Sequence, residues 1–234
     1  MSRRFAAQSA LGYDARIVNL VPGYAELHEI SAALLAARLP ERARVLVVGA
    51  GTGTETLALA QANAGWELVG VDPSADMLAV ARRRGAAAGL PNASFHEGYV
   101  ADLPDAGGFG AAGFGAGGFD AAVSLLVMHF VAGDDAKATY LGEIAGRLRV
   151  GAPLLLCDLM EHDEDDLDVI AEYACARGVG TEALAGIRQR LQADFHPLSE
   201  EQLRELGEVA GFALPRPYFR GVAFVANELQ RRSD

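Results

Sequence analysis

Between Tyr24 and Leu39 the apolar residues Leu27, Ile30, Leu34, Leu35 and Leu39 recur at helical spacing behind the turn Pro22-Gly23, which predicts a leading helix. Val45-Leu46-Val47-Val48 breaks that period. A short unbroken valine-rich run belongs in the middle of a parallel sheet, covered on both faces. It ends in Gly49-Ala50-Gly51-Thr52-Gly53, after which Leu57, Ala58 and Gln61 mark a helix over 54–64, and Leu68-Val69-Gly70-Val71 forms a second strand closed by Asp72. A further helix opens at Pro73-Ser74, with Ser74 as N-cap and Met77, Leu78 and Ala81 on its inner face. Residues 93–97 fit a third strand.

No hydrophobic period survives from Asp105 to Phe119, a near-repeat of Gly, Ala and Phe that reads as an expanded loop. Phe119 to Leu126 restores a strand. Tyr140, Leu141, Ile144, Ala145 and Leu148 make an amphipathic helix that stops near Gly151, and Pro153 to Cys157 is another strand. Alternation of this kind predicts a Rossmann-like, doubly wound α/β sheet with right-handed crossovers and ligands at the carboxyl ends of its strands. Residues 160–196 are helical and acidic, an insertion expected to lie over the active site as a lid, just as residues 1–40 form an N-terminal helical cap. Ser199-Glu200-Glu201-Gln202 is a capping-box signature. Two closing strands over 213–219 and 222–227, joined by Arg220-Gly221, imply an antiparallel hairpin on a seven-stranded, mostly parallel sheet, all within one domain over 1–234.

Composition narrows the functional classes. With 51% hydrophobic and 22% charged positions in 234 residues, disorder and fibrous folds are excluded. A net charge of -11 offers no broad basic field, so nucleic acid is not the expected partner and a small organic molecule is. No apolar run reaches the roughly 18 residues of a membrane span and the N-terminus carries no secretory signature, so a cytoplasmic protein is expected, for which a homodimer is compatible. Cys157 and Cys175 read as buried thiols rather than a disulfide. The acidic run from Asp158 to Asp168 reads as the solvated start of a helix, and no metal is assigned to it.

The glycine loop carries the chemistry. A dinucleotide fingerprint is G-x-G-x-x-G, with the pyrophosphate on the helix N-terminus. Here the spacing is G-x-G-x-G, and Thr54 and Glu55 stand where the third glycine and the anion would be. A carboxylate there repels a pyrophosphate and tolerates a cationic ligand, which points to S-adenosylmethionine and away from a nicotinamide-dependent oxidoreductase. Asp72, at the end of the second strand, has the placement of a ribose-binding carboxylate.

VLVVGAGTGTETLAL, VGVDPSADMLAVAR, FDAAVSLLVMHFV and LRVGAPLLLCDL resemble, in order, the successive motifs of class I S-adenosylmethionine-dependent methyltransferases. Tyr13-Asp14 followed by Val21-Pro22-Gly23-Tyr24 is similar to the N-terminal segment of the carboxy-S-adenosylmethionine synthase branch. The resemblance implies that Gly49, Ala50, Gly51 and Gly53 line the methionine part of the cofactor and Asp72 with Pro73 its ribose. It places Met77, Tyr99 and Val100 at the adenine, and Ser124, Leu125 and His129 at the strand-four motif facing the methyl group. Tyr99 occupies the position where the family has an acidic residue, for which Asp102 is a substitute. Tyr13, Tyr24, Phe130, Tyr173, Phe195 and Tyr218 are candidates for the wall of an acceptor pocket. His129 is the candidate base or positioning group, and Arg190 or Arg188 the anchor that a carboxylated cofactor would require. The expected reaction is methyl transfer to a small acceptor by in-line displacement. The alternatives are a carboxy-S-adenosylmethionine synthase-like activity and a non-catalytic cofactor-binding partner.

Overall fold

The computed structural model describes residues 7–104 and 118–233. Strand β1 (Arg44–Val48) is buried along its whole length and lies at the centre of a seven-stranded sheet. Its neighbours are β2 (Glu67–Asp72) and β4 (Ala121–Leu125), both parallel to it; β3 (Ala93–Glu97) flanks β2 and β5 (Pro153–Leu159) flanks β4. The closing strands β6 (Arg216–Gly221) and β7 (Phe224–Gln230) complete the order β3-β2-β1-β4-β5-β7-β6, in which β7 runs antiparallel to both β5 and β6.

Strand periodicity distributes the core between two faces. Val45 and Val47 point to one, packed with Leu27 and Leu35 of α2 (Tyr24–Arg38), Leu59 of α3 (Thr54–Ala62) and Leu78 of α4 (Ala75–Ala88). Leu46 and Val48 point to the other, packed with Leu141 and Ile144 of α5 (Asp134–Arg147) and Leu203 of α8 (Glu200–Val209). Each such buried aliphatic side chain contributes roughly 1.5–3 kcal/mol, which is why a five-residue strand needs no polar face. The chain reverses its direction of travel across the sheet between β1 and β4. The loops leaving these two strands therefore part from each other and open a crevice.

The leading helix, the capped helices and the closing hairpin match the pattern of the sequence, with four differences. A helix not expected separately, α1 (Ala7–Leu20), precedes α2 within the N-terminal cap. The hairpin turns at Val222-Ala223, two residues beyond Arg220-Gly221, because Gly221 still pairs with Phe224 and Val222 itself takes the positive φ of 58°. Residues 160–196 form two helices, α6 (Glu164–Ala176) and α7 (Thr181–Asp194); α6 packs against α1, and no residue of α7 is buried. Cys157 is buried but Cys175 is exposed, and both are free thiols. The expanded loop read over 105–119 lies outside the described residues up to 117. No described helix is long and apolar enough to cross a membrane.

Candidate active site

A cavity of about 470 Å³ fills the crevice between the tips of β1 and β4. Its floor is the glycine loop. Gly49 and Ala50 donate their N–H groups to Val71 O at 2.8 and 3.0 Å, which folds the loop back over β2 and fixes Gly49 at φ 70°. A Cβ at Gly49 would run into the Val127 side chain, so glycine is required by both conformation and space. Gly51 N–H donates to Asp72 Oδ2 at 2.9 Å and Ser74 N–H to Oδ1 at 2.8 Å. Each carboxylate oxygen thus keeps a further lone pair for a ligand. Burial raises the Asp72 carboxyl above its ordinary range, and the two backbone donors oppose that shift.

Pro73, Met77, Tyr99 and Val100 line the cavity on the side of Asp72, as the family motif implies, together with Glu97 from the end of β3. Asp102 does not. Its carboxylate accepts from Tyr99 N–H at 2.8 Å and closes its own one-turn helix, turned away from the cavity. The proposed replacement for the family's acidic residue is therefore withdrawn, and Glu97 is the carboxylate on that wall.

Leu125, Leu126, Val127 and Phe130 supply the β4 side. Leu126 adopts φ 63°, held by its N–H on Cys157 O at 2.6 Å; for a non-glycine residue this conformation is uncommon and marks a constrained site. Ser124 and His129 lie outside the cavity wall, contrary to expectation. The Ser124 hydroxyl is buried and hydrogen-bonds the Tyr140 hydroxyl at 2.6 Å; Tyr140, from α5, is the residue that reaches the cavity. His129 is 3% exposed, with Nδ1 2.8 Å from Asp158 Oδ1 and its ring stacked on Phe195. Lys137 Nζ donates to the carbonyls of Met128 and His196, and His196 N–H to His129 O, so the whole turn is pinned from below. His129 meets the ring of Phe130 edge-on with centroids 4.4 Å apart, so it stands behind a lining residue and does not itself line the cavity.

The N-terminal cap roofs the site. Asp14 accepts from Thr52 Oγ1 at 2.6 Å and from Arg84 at 2.8 Å, fastening α1 to the glycine loop and to α4. This clamp sets Tyr13 and Tyr24 on the cavity wall. Glu55 lies beside them, with His28 Nδ1 3.8 Å from its Oε1 and the His28 ring 4.3 Å from that of Tyr24. Burial pushes the Glu55 carboxyl up to about 8 and the His28 imidazole down to about 4. Among the described residues the buried Nε2 of His28 has no hydrogen-bond partner.

Three further expectations change. Gly53 borders the helix rather than the cavity: at φ 86° it precedes α3, and a Cβ there would meet Ala81 of α4 at 2.9 Å. Arg190 is exposed on α7 and Arg188 pairs with Asp168, so neither reaches the site. No described residue of 160–196 borders the cavity, and the insertion braces α1 instead of covering the site. Of the aromatic candidates, Phe195 packs tilted against Phe130 and off the cavity wall, Tyr218 hydrogen-bonds Ser31, and Tyr173 lies under Arg177. The sequence also left Glu97, Glu143 and Tyr140 unassigned; the helical stripe of α5 contained Tyr140, but nothing in the spacing showed that this end of the helix meets a strand tip. Among the described residues no trio of His, Cys, Asp or Glu side chains is arranged to hold a metal ion.

Comparison with known proteins agrees with this geometry. Residues 45–151 match a family model described as a methyltransferase domain. The chain is 26% identical over 217 residues to a carboxy-S-adenosyl-L-methionine synthase of Campylobacter hominis, covering 91% of this chain and 87% of the relative. In fold it resembles magnesium protoporphyrin IX methyltransferase from Synechocystis PCC 6803, solved with bound S-adenosylhomocysteine: 19% identity, 89% of this chain and 84% of that one, TM-score 0.62. It also resembles a putative methyltransferase of Haloferax volcanii solved with the Trm112 methyltransferase activator, at 18% identity over 97% of both chains, with TM-score 0.64.

Proposed function

We infer that this chain, a class I S-adenosylmethionine-dependent methyltransferase, transfers a methyl group to a small neutral or basic acceptor held in the cavity between β1 and β4. The observation that carries the reading is the lining itself: aromatic rings and the carboxylates of Glu55, Asp72, Glu97 and Glu143, with no Lys, Arg or His among the described residues on the wall. Such a surface attracts a sulfonium and an ammonium and gives an added carboxylate no partner. The loop fits the cofactor in a second respect, because Gly51 stands on the cavity wall at φ 52° with no Cβ, and the nearest protein atom to one placed there would be Gly49 O at 3.8 Å.

When bound, S-adenosylmethionine supplies a methyl group on a positively charged sulfur, which an acceptor nucleophile displaces in line. The protein's part is alignment and exclusion of water. Asp72 would hold the ribose hydroxyls with its remaining lone pairs. Met77, Tyr99 and Val100 would flank the adenine, while Leu125, Phe130, Tyr13 and Tyr24 would enclose the reacting end. With His129 held away from the wall, the lining supplies no imidazole base, which favours an amine or thiol acceptor that loses its proton to solvent.

A second reading, synthesis of a carboxylated cofactor, is favoured by the name of the Campylobacter relatives. It requires a cation for the new carboxylate, and both arginines proposed for that role lie elsewhere. Incubation with methyl-labelled S-adenosylmethionine and the small-molecule fraction of a cell extract tests the main reading. Label in an amine or thiol product with matching release of S-adenosylhomocysteine is expected. Transfer of label to no small molecule, or appearance of the label in a carboxylated form of the cofactor, would overturn it.

A further inference from the structure

Glu55 is the second residue of α3, at the cavity wall, and its side chain is 14% exposed. A buried acid facing a binding cavity must either find a counter-charge or stay protonated. The groups around it supply no free counter-charge. His28 of α2 stands 3.8 Å from it, Tyr13, Tyr24 and Asp72 share its cavity wall, and the neighbouring Asp14 of α1 disfavours a second negative charge there. Burial also pushes up the thiol of Cys157 in β5 and the hydroxyl of Tyr218 in β6, the latter opposed by its hydrogen bond to Ser31, and the charge of Glu55 adds to both shifts. Of the nearby cations, Arg84 of α4 is held by Asp14 and by Thr52 O, and the exposed Arg16 of α1 acts on the Tyr13 hydroxyl. The imidazole of His28 is itself neutral at pH 7, its position beside the acid notwithstanding.

Resting on the methyltransferase reading, we propose that Glu55 reads the positive charge of the cofactor, as a neutral acid in the free protein and a carboxylate when the cationic ligand occupies the cavity. The bond that breaks is the Glu55 O–H, and its proton leaves to solvent as the ligand enters. No electrons move and no other reactant is needed. The sign follows from linkage: the carboxyl rests near 8 in the free protein, and a cation beside it lowers that value, so ligand and proton compete. Affinity for the cofactor then rises with pH through the neutral range and levels off above about 8. The same device discriminates by charge, since an anionic group placed beside Glu55 would have to keep the acid protonated.

Calorimetric titration of the full chain with S-adenosylmethionine, at pH 6, 7 and 8 and in two buffers of different ionisation enthalpy, reads the proton directly. At pH 7 close to one proton should be released per ligand, and affinity should rise about tenfold from pH 6 to pH 7. Glu55→Gln should lose the proton released by the acid and keep only the pH slope and the buffer-dependent heat due to the ligand's own amine. A second readout needs no variant: the infrared carbonyl band of a protonated carboxylic acid, present in the free protein at pH 7, should disappear on binding. Binding by the unaltered protein with buffer-independent heat, persistence of the band, or an unchanged slope in Glu55→Gln would overturn the role of Glu55 alone. Absence of any binding would overturn the methyltransferase reading beneath it.

Discussion

Asp72 spends both carboxylate oxygens on loop backbone, one on Gly51 and one on Ser74, and still faces the cavity. Replacing it with alanine removes the proposed ribose contacts and releases the loop. We expect Asp72→Ala to weaken S-adenosylhomocysteine binding by about 1–3 kcal/mol in a calorimetric titration, and unchanged affinity would remove it from the site. His129 answers a different test. Truncating it leaves Asp158 buried without its partner, so His129→Ala should lower unfolding stability by about 3 kcal/mol while the folded fraction keeps the pH profile of the unaltered protein. A flattened pH profile would restore His129 as a base. These two residues show what the sequence could and could not reveal. Asp72 was legible because its place after a strand and before a capped helix determines where the carboxylate points. His129 was not, because a histidine that meets a ligand and one that meets an aspartate 29 positions away in the chain look alike until the strands are paired.

Elements carry the next set of effects. Ser199 accepts from Gln202 N–H at 3.1 Å while the Gln202 side chain accepts from Ser199 N–H at 2.9 Å, and the sequence announced this box in full. Ser199→Ala should cost about 1 kcal/mol, read as a lower melting temperature with cofactor affinity intact. The clamp at Asp14 should behave in the opposite manner. Because it ties α1 to Thr52 and Arg84 at the surface, Asp14→Ala should loosen the roof and weaken cofactor binding several-fold with little loss of global stability. Equal affinity in that variant would show that α1 is a bystander. The helix itself escaped the pattern of apolar residues because none of its described side chains over 12–20 is fully buried, and Asp14 adds polar links to the loop it covers. The hairpin turn was displaced for a related reason. Gly221 looks like a turn residue, yet a Cβ there would strike Pro22 O, so its glycine serves the approach of α2 and leaves the positive φ to Val222.

At the scale of the molecule, the doubly wound sheet followed from the alternation of apolar runs and helical stripes, and the order of strands then located the crevice without reference to any ligand. What the sequence could not show was the chemical character of that crevice, since its wall is assembled from four strand ends with the loops that leave them and from five helices far apart in the chain. The acidity of the protein as a whole, with a net charge of -11, is repeated on that wall, where the described residues include four carboxylates and no Lys, Arg or His. The central claim is that this wall selects a methyl sulfonium. It is tested most directly by parallel calorimetric titration of the purified chain with S-adenosylmethionine and with its carboxylated analogue at one pH and salt concentration. The account predicts binding of S-adenosylmethionine at least about tenfold tighter, the consequence of an added carboxylate that meets Glu55 and finds no cation. Tighter binding of the carboxylated form would contradict it.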